Sequence, residues 1–198
     1  MNKLRKISEK FSAFVEKEKL RPLVDVFIFV AILYIFHLIW RLLIPYFIDL
    51  PFYQSSAYFM KSQVFFQSSW FIQNVLGIDF KTIERTMYFT QNRYIAITSG
   101  CSGLKLFYEW IVLIVLFPGP WRPKIWFIPL GLIVVHLTNI FRIVLLAIII
   151  TWKPDYWHFS HDYILRPFFY FVMFIMWMIW EEKFRMPALK KKNKSDEL

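Results

Sequence analysis

Long apolar runs separate two strongly basic ends in this chain of 198 residues. A helix that crosses a bilayer needs about 20 consecutive apolar residues, and the chain is 58% hydrophobic and 21% aromatic. We therefore expect an all-α integral membrane protein, built as one polytopic domain over residues 1–198. The formal net charge of +10 then fits lysine and arginine gathered on the cytoplasmic side better than binding to nucleic acid.

Four transmembrane helices are predicted from the apolar runs at residues 23–47, 101–117, 125–151 and 167–180. The proline-rich turn 118–124 and a loop at 152–166 separate the last three. Four parts of the domain follow: a basic amphipathic cytoplasmic helix at 1–21, an extracytoplasmic or interfacial segment at 48–99, a catalytic core at 100–180 and a basic cytoplasmic tail at 181–198. Within 48–99 we expect an interfacial or re-entrant helix over 52–76, following a break at Pro45 and Pro51, and a short β-like segment over 82–98.

The distribution of basic residues predicts the orientation of the domain. Residues 1–21, 118–124 and 181–198 carry 7, 2 and 6 Lys or Arg residues, which is 15 of the 24 in the chain. Basic residues favour the cytoplasmic side, so both termini are predicted to be cytoplasmic. The apolar run at 23–47 is too long for a signal-peptide core, and we interpret it as a retained anchor.

Three polar residues from distant segments are predicted to meet at the outer side of the membrane. Cys101 is the only cysteine and stands at the outer end of the second span. Arg142 lies 17 residues into the third span, about 25 Å along the helix axis, and His161 precedes the fourth span. An arginine within a span costs several kcal/mol unless it faces a polar cavity or a partner. A cation near a thiol favours the nucleophilic thiolate, and histidine can carry a proton to a leaving group, so the trio indicates cysteine-based acyl transfer.

Other polar residues share helix faces with this trio. Asn139 and His136 precede Arg142 by three and six residues, and Lys105 and Glu109 follow Cys101 by four and eight. The structural interpretation is an intrahelical Lys105–Glu109 ion pair and a His136–Asn139 seam between helices. One cysteine excludes an internal disulfide framework, a CxxC redox pair and a Cys-rich zinc site, and we predict neither a metal nor a cofactor.

The residues Ser-Gly-Cys-Ser-Gly-Leu at 99–104, Asn-Ile-Phe-Arg at 139–142 and His-Asp-Tyr at 161–163 resemble the exosortase/archaeosortase family. The resemblance covers roughly residues 95–180. It implies a multipass membrane cysteine transpeptidase that cleaves C-terminal sorting tails through a Cys thioester. The implied substrates are exported proteins whose tails combine a short motif, a membrane helix and a basic cluster, and the acceptor is an envelope lipid or glycan.

By the same resemblance, Cys101 is the nucleophile, Arg142 the family arginine and His161 the family histidine, with Asn139 as a substrate-binding residue. His158 competes with His161 for the last role, and the position next to the final span favours His161. The implied location is the bacterial inner membrane, with the active site facing outward.

Two hypotheses from other classes remain open. Gly100-Cys101-Ser102-Gly103 also fits a rhomboid-type serine protease, with Ser102 as the nucleophile and His136 as the base. The second alternative is a non-enzymatic subunit of an envelope-export assembly, which would keep the fold without needing the thiol.

Overall fold

The computed structural model describes residues 20–89 and 93–189. Its main elements, in chain order, are helices α1 (Arg21–Phe47) and α2 (Pro51–Asn74), strands β1 (Lys81–Ile83), β2 (Thr86–Phe89) and β3 (Arg93–Ala96), and helices α3 (Leu104–Leu116), α4 (Trp121–Trp152), α5 (Trp157–Phe159) and α6 (Leu165–Trp180). Short turns of 3-10 helix cover Ser99–Cys101 and Pro154–Tyr156, and π-helical turns cover Ser160–Ile164 and Glu181–Arg185. Residues 1–19 of the predicted helix at 1–21, and residues 190–198 of the basic tail, lie outside the described residues.

Three helical stretches are long and apolar enough to cross a membrane, judged by length and composition over the described residues: Pro22–Phe47, Trp121–Trp152 and Pro154–Leu189. These confirm a helical membrane protein. The predicted second span corresponds to α3, which has 13 residues and is about 20 Å long at the helical rise. That is short of the roughly 30 Å hydrocarbon core, so the count of four spans stays a prediction.

Several predicted boundaries were wrong. Pro45 lies inside α1, and only Pro51, at the first position of α2, marks a helix boundary. The second span begins at Leu104, because Gly103 adopts a left-handed φ of 76° that separates the Ser99–Cys101 turn from α3. The turn 118–124 is shorter than predicted, since α4 starts at Trp121.

The predicted loop at 152–166 is helical almost throughout. Pro154–Tyr156, α5 and the π-helical turn Ser160–Ile164 lead directly into α6. The tail at 181–198 likewise begins as helix, through Glu181–Arg185. The polarity of these segments suggested loops, but their polar side chains find partners on neighbouring turns, including Asp162 with Arg166 and Glu181 with Arg185.

The segment between α2 and α3 forms a three-stranded antiparallel sheet in the order β1-β2-β3. The pairing register places Met87 opposite Ile95 and Phe89 opposite Arg93. Met87, Phe89, Ile95 and Ile97 are buried, so this face of the sheet packs on the protein. Strand β3 is one edge of the sheet and continues directly through the turn that carries Cys101.

Helix α4 is shared by two cores. One core joins α2 and the sheet to the second half of α4, and includes Val64, Ile95 and Ile143. The other joins α1, α3, α4 and α6, and includes Trp110 and Trp177. Gly131 allows α3 to approach α4 closely, because a Cβ atom there would overlap the Trp110 indole. Cys101 packs against the first of these cores.

Candidate active site

Cys101 lies at the junction of two cavities. The first, of about 440 Å³, is called the helix cavity because it is lined mainly by helical residues, among them Trp40, Tyr53, Lys105, Arg166 and Tyr170. The second, of about 460 Å³, is called the strand cavity because all of β3 lines it, together with Ile143, Leu146, Ile150 and Trp157 from the helices. Thr98, Cys101 and His161 line both cavities. The partly buried thiol can therefore be reached from two directions.

The chain holds Cys101 through contacts made by its own turn and by α4. The Cys101 amide donates to the Thr98 carbonyl at 3.0 Å, and the Thr98 hydroxyl Oγ1 donates to the Cys101 Sγ at 3.6 Å. Asn139 Nδ2 donates to the Cys101 carbonyl at 2.7 Å. A side chain at Gly103 would press on this amide, since its Cβ would lie 3.1 Å from Asn139 Nδ2. The backbone that carries the thiol is therefore fixed against α4.

Arg142 is 7% exposed and lines the helix cavity together with Cys101. Its Nη2 bonds His161 Nε2 at 2.8 Å, and the guanidinium carbon lies 5.7 Å from the centre of the Phe169 ring. The Arg142 Nε is buried and has no hydrogen-bond partner among the described residues. Arg142 thus carries a permanent positive charge with donor capacity that these residues do not use.

His161 is held on three sides. Its Nδ1 lies 2.8 Å from Asp162 Oδ1, and its ring stacks on Trp157 at 4.9 Å with an interplanar angle of 7°. Arginine can only donate, so Nε2 accepts from Arg142 and the ring proton is assigned to Nδ1, which donates to Asp162. Asp162 also contacts Arg166 at 3.2 Å. The result is a polar chain from Arg166 through Asp162 and His161 to Arg142.

The structure places the three predicted residues in one cavity, whereas Asn139 contacts the backbone of Cys101. Cys101, Arg142 and His161 line the same cavity, whereas His158 is exposed and lines neither cavity that Cys101 lines. Asn139 is 1% exposed and donates to the backbone of Cys101, which is the contact of a positioning residue. Its Oδ1 has no partner within the described part of the chain.

The structural interpretation of the neighbouring polar residues holds only in part. Lys105 Nζ contacts His37 Nδ1 at 2.8 Å, and Lys105 and Glu109 form no salt bridge. His136 Nε2 contacts Gln67 Oε1 on α2 at 3.0 Å, so a polar seam does join helices, although its partner could not be foreseen. The sequence also did not single out Thr98, Trp157 or Arg166, because a sequence gives no signal for contacts made by a stacked ring or a turn hydroxyl.

The Ser102 hydroxyl is bonded to the local backbone. Its Oγ donates to the Ser99 carbonyl at 2.7 Å and accepts from the Leu104 amide at 3.2 Å. The residue is 1% exposed, and His136 is bonded to Gln67 instead. This arrangement provides no base for a serine nucleophile at this position within the described residues.

A model of the transmembrane exosortase family matches residues 22–180. The chain belongs to the transmembrane exosortase family. The match extends from the first membrane helix to the end of α6, and therefore includes every residue of the site just described. No curated protein and no solved structure gives a significant match to the chain. Membership implies a membrane protein of a family with general transpeptidase character.

Proposed function

We propose that this exosortase-family protein is a cysteine transpeptidase that cleaves C-terminal sorting tails of exported proteins and transfers the retained part to an envelope acceptor. The observation that supports this most is the convergence of Cys101, Arg142 and His161 in one cavity. A thiol nucleophile, a permanent cation and a titratable base are the groups that acyl transfer through a thioester needs. They come from three distant segments of the chain.

The first chemical step is acylation of Cys101. The thiol proton passes to His161 Nε2, and the sulfur attacks the carbonyl carbon of the scissile peptide bond. For this, Nε2 must exchange its bond to Arg142 for the thiol proton. Arg142 then has Nη2 and the unused Nε donor available for the oxygen that becomes negative in the tetrahedral intermediate. Collapse breaks the C–N bond, and the proton on His161 leaves with the amine of the tail.

The second step returns the enzyme to its starting state. An acceptor with a hydroxyl or amine attacks the thioester carbon and gives its proton to His161 Nε2. The C–S bond breaks, and the thiolate takes that proton back. The acceptor is an envelope lipid or glycan, and its head group occupies the helix cavity. Lys105, Arg142 and Arg166 line that cavity and favour an acceptor that carries negative charge.

The protein is placed in the bacterial inner membrane with both termini in the cytoplasm and Cys101 on the outer side. The excess of basic residues at the two ends of the chain supports this orientation. The sheet and the strand cavity then face the compartment that exported proteins enter. The departing tail, with its own membrane helix, leaves from the helix cavity.

The experiment that tests the proposal looks for the thioester. Membranes with the wild-type protein and with Cys101→Ala are prepared from the native host in the absence of added acceptor, and protein adducts are analysed by mass spectrometry with and without hydroxylamine. We expect a hydroxylamine-labile adduct on Cys101 whose mass identifies the retained part of a substrate. Host proteins that keep their tails only in the Cys101→Ala strain identify the same substrate independently. Equal tail processing in both strains would contradict the proposal and favour the non-enzymatic assembly subunit.

A further inference from the structure

Among the residues that the structure describes, strand β3 has one edge that pairs with no other strand, and the chain continues from it toward Cys101. It is the last strand in the sheet order β1-β2-β3, and all four of its residues, Arg93 to Ala96, line the strand cavity. Successive side chains of a strand point to opposite faces of the sheet. A cavity over one face of the sheet would be lined by every second residue of the strand. Because all four residues of β3 line the strand cavity, this cavity extends along the backbone at the edge of the sheet.

The hydrogen-bond phase of the sheet identifies the groups on this edge. The Ile97 amide donates to the Arg85 carbonyl at 3.0 Å, which makes Arg85 and Ile97 a hydrogen-bonded pair. In an antiparallel ladder such pairs alternate, so Ile95 and Arg93 also bond toward β2. The backbone groups of Tyr94 and Ala96 therefore point away from β2. The Ala96 carbonyl accepts from the Thr98 amide at 3.1 Å, which leaves the Tyr94 amide, the Tyr94 carbonyl and the Ala96 amide facing the cavity.

The position of this edge relative to the thiol indicates what occupies it. Cys101 is five residues beyond Ala96 and lines the same cavity, as does His161. A donor, an acceptor and a second donor in strand spacing match the backbone of an extended peptide, whereas a lipid or glycan head group has no such repeat. The opposite walls, Ile143, Leu146 and Ile150, are apolar, which suits alternate side chains of that peptide.

We propose that the substrate segment on the amino-terminal side of the scissile bond binds as a fourth strand on β3. This rests on the proposed function and adds the way in which the substrate is recognised: by backbone pairing along Tyr94 and Ala96, with the scissile carbonyl delivered to Cys101 at the end of the strand. The carboxyl-terminal side then continues into the helix cavity. Recognition through backbone groups tolerates several side-chain sequences, provided that the segment can extend.

A scan of the substrate tests this without altering the protein. The probe is a synthetic peptide spanning the cleavage site of the tail that the adduct experiment identifies, methylated in turn on each backbone nitrogen over the six residues before the scissile bond. We expect kcat/KM for tail release to fall on the order of 10-fold at the one position whose amide donates to the Tyr94 carbonyl and to change little at the positions on either side of it. A flat profile with normal cleavage of the unmethylated peptide would overturn the fourth-strand inference and leave the proposed function standing. Absence of both cleavage and adduct would overturn the two together.

Proline substitutions at the two sheet edges provide a matched pair in the protein. Tyr94→Pro removes an amide that faces the cavity, and Thr82→Pro removes an amide from the opposite edge, because Thr82 lies opposite Met87, whose backbone groups bond toward β3. Proline is tolerated on a sheet edge where its nitrogen faces outward. We expect Tyr94→Pro to raise KM about 10-fold and Thr82→Pro to leave it unchanged.

Hydrogen exchange in Cys101→Ala protein provides a readout that is independent of turnover. The Tyr94 amide should exchange more slowly when the unmethylated peptide is present, and the Thr82 amide should not respond. Equal effects of the two proline variants, or an unprotected Tyr94 amide with peptide bound, would overturn the inference.

Discussion

The two ends of the helical bundle treat buried charge in opposite ways. At the end where α1 begins and α6 finishes, Arg185 contacts Asp25 and Glu181, each at 2.8 Å. Nearby, Lys124 donates to the Val115 and Phe117 carbonyls at 3.0 and 2.7 Å. Each cation here is surrounded by acceptors, so this end holds helices together.

At the Cys101 end, charge is buried without such compensation. Arg142 has one side-chain hydrogen bond, to a neutral histidine, and its Nε lacks a partner among the described residues. The same holds for Asn139 Oδ1. A buried polar group without a partner costs about 1–3 kcal/mol, and more when it is charged. At the Arg185 end, the buried atoms without a partner in the described part of the chain include the uncharged indole nitrogens of Trp177 and Trp180. At the Cys101 end they include a charged donor and an amide acceptor, which remain available for a ligand. The comparison predicts that variants at the Cys101 end will mainly change activity, whereas variants at the Arg185 end will mainly change stability.

The largest effects should be on activity at the Cys101 end. Cys101→Ala and Cys101→Ser should each lower tail release on the order of 10³-fold or more, because alanine offers no nucleophile and a serine hydroxyl is far less acidic than a thiol and is a much weaker nucleophile at the same site. Arg142→Lys should lose on the order of 10²-fold or more, because an ammonium cannot donate two parallel bonds to an oxyanion. The measurement is the rate of tail release from a reporter bearing the identified tail.

Protein level in the membrane and thermal unfolding in detergent serve as controls for these variants, and both should stay near the wild-type values. An active Cys101→Ala protein would contradict the cysteine mechanism. Normal turnover by Arg142→Lys would mean that Arg142 supplies only charge or packing.

The opposite pattern is expected for Arg185. Arg185→Met removes the cation that contacts the buried Asp25 carboxylate, and breaking a buried ion pair in this way costs about 3–5 kcal/mol. We expect a clear drop in the unfolding temperature in detergent, with tail release per folded molecule unchanged. The matched control, Asp25→Asn with Glu181→Gln and Arg185→Met, removes the charges together and should regain much of the stability. Loss of turnover in the folded fraction of Arg185→Met would show that the two ends are coupled and would break the comparison.

The sequence allowed the class of fold and the residues of the site to be predicted for one reason. A long apolar run is costly to expose to water, and an ionisable side chain is costly to bury in a membrane segment. The position of Arg142 within an apolar run therefore indicated a function from the sequence alone. The order of the spans then brought Cys101 and His161 to the same end of the bundle.

Other parts depended on contacts that a sequence does not encode locally. The helical turns between Pro154 and Ile164 are stabilised by stacking of Trp157 on His161 and by the Asp162–Arg166 pair. The polar residues of this segment had led to the prediction of a loop. Likewise, Asn139 resembled a ligand-binding residue, but its amide meets the Cys101 carbonyl because Gly103 leaves room for it. The open edge of β3 follows from the register of the sheet, which alternation of residue types does not specify.

A pair of histidine variants sharpens the comparison within the Cys101 end. His161→Ala should lower tail release on the order of 10²-fold, since the leaving amine loses its proton donor, whereas His158→Ala should stay within about twofold because His158 lines neither cavity that Cys101 lines. Rapid quenching of the reaction separates the steps, and the adduct on Cys101 should form slowly in His161→Ala. A normal adduct in His161→Ala together with a slow one in His158→Ala would reverse the assignment of the acid.

The smallest effect should come from Asn139. Asn139→Leu keeps the volume of the side chain but removes the bond to the Cys101 carbonyl, and we expect kcat to fall about 10-fold with KM for the tail nearly unchanged, because the nucleophile is displaced while both cavities remain. Asn139→Asp offers an acceptor where a donor is needed and should be at least as impaired. The rate at which a small alkylating reagent modifies Cys101, measured without substrate, should also change in Asn139→Leu, as a positioning role requires. A rise in KM with unchanged kcat and unchanged alkylation would instead return Asn139 to the substrate-binding role that the sequence suggested.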